Sequence, residues 1–163
     1  MQSKMISDSE YLPLCPSGFR DINEDDFEQI FVEPFGPKND RRREMCRMFR
    51  EWLQAIKGIG ISFELWIDGS FATYKPEPGD IDIVCIIDND DFQVLPRDVK
   101  MRAYELLSRD SIKTKYLCHV YPIYKNSKSY DYASDYDYWK DQFGHARSGM
   151  SKGIFKVSQG GKT

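Results

Sequence analysis

The sequence predicts an α+β fold: a small mixed β-sheet with helices packed mainly on one face. Three stretches carry that prediction. Met45, Met48, Phe49, Trp52, Leu53 and Ile56 recur at spacings of three and four, the period of a helix with one apolar stripe. The stretch SFELWID alternates with a period of two, as a strand does, and DIDIVCII is nearly all apolar after an acidic start, which suits a strand covered on both faces. The short, turn-rich GSFATYKPEPG joins those two strands.

The remaining elements follow in chain order. Residues 1–20 contain Pro13 and Pro16 without periodicity and read as an extended lead-in to one domain spanning 21–158. In NEDDFEQIFV, Asn23 is a helix cap, and Glu24, Asp25 and Asp26 suit the positive end of the helix dipole. EPFGPKN breaks that helix; Asn39 or Asp40 caps the long one, and Gly58 stops it. Pro96 is expected as the first residue of a second amphipathic helix carrying Val99, Ala103, Leu106 and Leu107. KYLCHVYPIY reads as a third strand. The tyrosine-rich stretch from Tyr121 to Tyr138, with its interleaved aspartates, reads as a loop leading into a short helix near Trp139 and Phe143. Its rings either pack over a small sheet or form a base-stacking or partner surface. GIFKV closes the sheet, and residues 159–163 form a frayed tail.

A chain of 163 residues supports one domain with a sizeable core, and 40% apolar with 30% charged residues excludes disordered, collagen-like and coiled-coil classes. No apolar run approaches the roughly 20 residues of a membrane span, and MQSKMISDSE lacks a signal-peptide core, so a cytoplasmic protein without membrane contact is expected. The formal net charge of -3 excludes nucleic-acid binding by bulk electrostatics alone. Local cationic faces remain: Arg43, Arg47 and Arg50 lie within two helical turns, as a solvated face or as a phosphate or RNA contact. Cys15, Cys46, Cys85 and Cys118 are far apart and lack zinc spacing, which points to reduced, packed thiols.

The segment WIDGSFATYKPEPGDIDIV holds the chemistry. Nine residues separate Ser70 from Asp80, and on a strand Asp80 and Asp82 project from one side while Ile81 and Ile83 enter the other. Two neighbouring carboxylates repel unless cations lie between them, and a pair of divalent metals meets that need. Mg2+ accompanied by a nucleoside triphosphate is the natural occupant, with Mn2+ as an alternative. Gly69 lets the backbone approach a phosphate, and Ser70 offers a hydroxyl and an amide where a short helix would start.

These residues resemble the signature of the polymerase-beta-like nucleotidyltransferase superfamily: an apolar-Gly-Ser turn followed about ten residues later by Asp-apolar-Asp-apolar, here Gly69, Ser70, Asp80, Ile81, Asp82 and Ile83. WIDGSF, KPEPGDID and WKDQFG extend the likeness to small bacterial single-domain members, with weaker similarity over most of the chain. The resemblance implies transfer of a nucleoside monophosphate from a nucleoside triphosphate to a hydroxyl on RNA, such as tRNA, or on a protein, in some relatives as a toxin-antitoxin or phage-defence component. It also implies catalytic Asp80 and Asp82 as metal ligands, with Gly69 and Ser70 holding the phosphates.

The chain departs from that signature in two places. The superfamily supplies a third carboxylate from a neighbouring strand, and KYLCHVYPIY has no Asp or Glu. His119 stands near that place, either as a general base or as a packed residue; Asp110, Asp131 and Asp135 are alternative sources of the acid. Asp68 replaces the usual apolar residue before Gly-Ser, and it either ties down the turn or joins the acidic site. Lys75, Arg147 and Lys152 are candidate triphosphate contacts or ordinary surface cations. The alternative to an enzyme is a domain that keeps the fold but binds a nucleotide or a protein without catalysis; a third reading makes the chain one half of a complex, with a partner protein or a second copy of the chain completing the site.

Overall fold

A five-stranded mixed sheet organises the chain in a computed structural model that describes residues 10–108 and 115–159. Its strands are β1 (Phe19–Asp21), β2 (Phe63–Asp68), β3 (Ile81–Asp88), β4 (Cys118–Lys125) and β5 (Ile154–Gln159), in the spatial order β1-β5-β2-β3-β4. β2 runs antiparallel to both of its neighbours, β3 and β5, whereas β3 and β4 are parallel, as are β1 and β5.

The two sheet faces are covered differently. One carries α1 (Phe27–Phe31), α2 (Asp40–Lys57), α3 (Asn89–Gln93) and α4 (Arg97–Leu106) over Phe63, Leu65, Ile67, Ile81, Ile83, Cys85 and Phe155. The opposite face carries α5 (Tyr132–Phe143) over Trp66, Val84, Ile86 and Ile123. Both faces of β3 are thus buried, which explains its nearly continuous apolar sequence.

Local chemistry sets the helix starts. Asn23 Oδ1 accepts from the Asp25 amide at 3.0 Å while Asp26 Oδ2 accepts from the Asn23 amide at 3.0 Å, a reciprocal cap. Asn39 accepts from the Arg42 amide at 2.9 Å and starts α2, whose buried stripe includes Met45, Phe49, Trp52, Leu53 and Ile56. Pro96 is the residue just before α4 rather than its first residue, and its carbonyl accepts from the Lys100 amide at 2.8 Å.

Two stretches differ from the sequence reading. In the tyrosine-rich segment the expected helix near Trp139 and Phe143 is present but starts earlier, at Tyr132: Asp131 caps α5 by accepting from the Ser134 amide at 3.2 Å, and Tyr132, Tyr136, Trp139 and Phe143 pack on the sheet. Those positions fall at spacings of four, three and four, so the interleaved aspartates occupy the outward positions of a helix rather than turns. The lead-in is extended, but its described part belongs to the domain. Leu14 donates to Ala72 at 2.9 Å, Tyr74 donates to Leu12 at 2.9 Å, Gly153 donates to Cys15 at 2.6 Å, and Phe19–Asp21 forms β1. An extended segment without periodicity is recruited because a neighbouring strand and loop leave backbone groups to pair. Most of the expected frayed tail, residues 160–163, lies outside the described residues, while Gln159 ends β5.

All four cysteines are buried and unpaired, as expected. Among the described residues, no helix is long and apolar enough to cross a membrane.

Candidate functional site

Strand register places three polar side chains in one row across the sheet. Asp68 on β2 pairs with Asp82 on β3, and Asp82 pairs with His119 on β4. All three lie on the sheet face that α5 covers, because side chains alternate along a strand and Trp66, Val84 and Tyr121, two residues away in each strand, pack there. Asp80 sits just before β3. One ligand atom each from Asp80, Asp82 and His119 lie within 4.8 Å of one another. His119 Nδ1 is 3.7 Å from Asp82 Oδ1 and 3.1 Å from the Tyr121 hydroxyl.

The Gly69–Ser70 turn is shaped for this neighbour. Gly69 has φ +79°, a left-handed conformation, and a Cβ there would collide with the Asp82 carboxylate, coming 3.0 Å from its Cγ. Ser70–Ala72 then forms one 3-10 turn, closed by the Thr73 amide and hydroxyl donating to the Ser70 carbonyl at 3.1 and 2.6 Å. This is the short helix expected to start at Ser70, and it ends at Thr73, which is already extended.

The start of α2 fastens the connection from β2 to β3. Arg42 is fully buried, with its guanidinium 3.7 Å from the Phe35 ring centroid and 5.1 Å from that of Phe71. It donates to the carbonyls of Phe31 (3.1 Å), Phe71 (2.8 Å), Thr73 (2.6 Å) and Lys75 (3.0 and 2.7 Å). Asn39 donates to the Pro76 carbonyl at 2.8 Å, and Arg41 donates to Pro78 at 3.0 Å and Gly79 at 2.7 Å. Residues 70–79 are therefore held along their length, which fixes where the chain delivers Asp80.

Asp68 answers both alternatives left by the sequence. Its side chain is 2% exposed, its Oδ1 is 3.1 Å from Lys152 Nζ, and that oxygen has no aligned hydrogen-bond donor. Burial pushes its carboxyl up to about 7; Lys152 pulls the other way, Asp82 adds to the rise, and the Gly69 N–H opposes it. Asp68 thus touches the turn and also stands beside the acidic cluster.

A cavity of about 850 Å³ opens over the two aspartates of the row, with His119 outside its lining; it is walled by Asp68, Gly69, Ser70, Asp80 and Asp82, by Lys75, Arg147 and Lys152, and by the aromatic pair Tyr121 and Trp139, whose ring centroids lie 4.2 Å apart. All three predicted cations reach it, although Lys152 is already paired with Asp68. Arg43, Arg47 and Arg50 lie on α2, on the other side of the sheet. Each faces a carboxylate: Asp40 at 3.1 Å for Arg43, Glu44 and Glu51 at 2.5 and 2.6 Å for Arg47, and Glu28 at 3.5 Å for Arg50.

Of the alternative sources of a third acid, Asp131 is occupied as the α5 cap, Asp135 lies on α5, and Asp110 is outside the described residues. Arg42, Tyr121 and Trp139 escaped the sequence reading. The first sat inside an arginine-rich helix start, Tyr121 sat in the expected third strand, and Trp139 sat in the expected short helix, neither ring being assigned to the site. The helical spacing of Tyr132, Tyr136, Trp139 and Phe143 was the signal that bore on Trp139.

Two carboxylates and an imidazole are a donor set for a hard or borderline divalent cation, and the absent side chain at Gly69 keeps room for the Asp82 carboxylate that would hold it. Asp80 and Asp82 are the residues that fit this role.

Fold and site together describe a mixed-sheet domain with an acidic cleft at the start of a buried strand. Residues 8–158 match DUF6932, a family of unknown function, and the chain belongs to that family. Neither a curated protein nor a solved structure matches it.

Proposed function

We propose that the chain is a divalent-metal-dependent nucleotidyltransferase that moves a nucleoside monophosphate from a nucleoside triphosphate to a hydroxyl acceptor on RNA, such as tRNA, or on a protein. The observation that carries this reading is the meeting of Asp80, Asp82 and His119 within 4.8 Å beside a Gly69 turn with no room for a side chain. Mg2+ or Mn2+ held by Asp80 and Asp82 supplies neutralisation of phosphate charge. Gly69 and Ser70 present backbone and hydroxyl groups to the phosphates, and Lys75 and Arg147 add cationic charge from the cavity wall. Tyr121 and Trp139 offer an aromatic wall for a base.

In the transfer, the acceptor oxygen bonds to the α-phosphorus and the bond from that phosphorus to the bridging oxygen breaks. Pyrophosphate leaves with the electron pair, and the hydroxyl proton passes to a carboxylate of the Asp80 and Asp82 pair. Nucleoside triphosphates and RNA are found in the cytoplasm, the compartment proposed for the chain, and four buried thiols suit its reducing conditions. Service as a toxin-antitoxin or phage-defence component is part of the same proposal, as is completion of the site by a partner protein or a second copy.

One observation favours a second reading, a nucleotide- or protein-binding module without catalysis: β4 brings an imidazole where the resemblance implies a carboxylate. Each of the four α-labelled nucleoside triphosphates, incubated with Mg2+ or Mn2+ and with total RNA or total protein, separates the two. Label that appears in RNA or protein and vanishes in a folded Asp80→Ala, Asp82→Ala variant supports the enzyme. Nucleotide binding without transfer under any of these conditions supports the module.

A further inference from the structure

We infer that this site prefers a first-row transition cation, with Mn2+ as the diagnostic case, over Mg2+, because its third ligand is the His119 imidazole. This rests on the reading of Asp80 and Asp82 as metal ligands. The β3–β4 register sets His119 beside Asp82, and one of its ring nitrogens lies within 4.8 Å of a carboxylate oxygen from each aspartate. Mg2+ favours oxygen ligands alone and gains little from an imidazole, whereas Mn2+ and the metals beyond it accept nitrogen readily.

The Tyr121 hydroxyl lies 3.1 Å from Nδ1, the ring nitrogen that is also 3.7 Å from Asp82 Oδ1, and Trp139 packs on Tyr121 with ring centroids 4.2 Å apart, so the imidazole stands beside Asp82 with a neighbour that is itself held by α5. Thiolate chemistry is kept away: Cys85 and Cys118, on the same two strands, are buried in the opposite core under α2 and α4. The donor set is therefore oxygen with nitrogen. Mn2+ is the weakest binder of the first-row series, so a site at which it outcompetes Mg2+ favours the later metals too, which makes it the most demanding probe. His119 is thereby assigned to the cation rather than to the acceptor's proton.

The test needs no substrate. Mn2+ is titrated into the full chain without nucleotide, free Mn2+ is followed by electron paramagnetic resonance, Mg2+ is added in competition, and electron spin-echo modulation reports nitrogen bound to Mn2+. The expected result is Mn2+ binding with nitrogen modulation, and a preference over Mg2+ that narrows by about tenfold or more in His119→Asp, comparable to losses seen when partners of a metal site are removed. Mn2+ bound without nitrogen modulation, with a preference unchanged in His119→Asp, overturns the inference and leaves the carboxylate reading standing. A folded wild-type chain that binds neither cation overturns both. If His119→Asp fails to fold, the wild-type modulation decides alone.

Discussion

The Asp82 carboxylate occupies the space that a side chain at residue 69 would need, so Gly69 and Asp82 form one packed unit across the β2–β3 pair. Gly69→Ala meets two obstacles, the left-handed backbone and the collision with Asp82. The backbone alone costs about 1–2 kcal/mol. Thermal melting should show a fall of several degrees, and Mn2+ titration should show weakened binding, because relief of the collision moves Asp82. Unchanged cation affinity would sink the idea that the glycine is there for the carboxylate.

Arg42 should not tolerate lysine. A single ammonium group cannot reproduce the fork that meets the carbonyls of Phe31, Phe71, Thr73 and Lys75, and each buried carbonyl left without a donor costs about 1–3 kcal/mol. Urea unfolding of Arg42→Lys should reveal a loss of at least about 2 kcal/mol. A midpoint matching the wild type would show that the clamp is dispensable.

Asp68 predicts a pH dependence. Burial raises its folded pKa to about 7 from the ordinary 3.8, so its contribution to stability is fully present below the unfolded value and is lost as pH rises through about 7. Asp68→Asn carries no such proton. In melts with chelator present, the variant should gain on the wild type steadily between pH 4 and pH 8, and a difference that stays flat would contradict the assignment.

Lys152 is the one cation that offsets the buried Asp68 charge among the residues described around it. Removing one partner of a buried ion pair costs about 3–5 kcal/mol, so Lys152→Met should destabilise strongly at pH 8 and less at pH 5, where Asp68 is protonated. Asp68→Asn added to Lys152→Met should recover much of the loss. A double-mutant cycle with no coupling would show that the 3.1 Å contact contributes nothing.

The local elements were legible because short-range chemistry produces them. Asn23 and Asn39 cap helices with their own side chains, the α2 stripe repeats with the helical period, and SFELWID and DIDIVCII carry the patterns of their strands. The early start of the tyrosine-rich helix, at Tyr132, was missed because aspartates beside aromatics look like turn chemistry until a sheet face exists for Tyr132, Tyr136 and Trp139 to cover. The lead-in strand was missed for a similar reason: β1 exists only because β5 presents a partner for its backbone.

By itself the sequence determined an α+β domain, a Gly-Ser turn, and an Asp-x-Asp strand start with both carboxylates on one side, since spacing and side-chain alternation follow from chain geometry alone. Only the tertiary structure decided that Asp68 and His119 flank Asp82, that Lys152 returns from the far end of the chain to meet Asp68, and that Arg42 rather than its neighbours is buried. Strand order and register are set by how the whole core packs. Residues distant in sequence become neighbours only once that packing has been chosen.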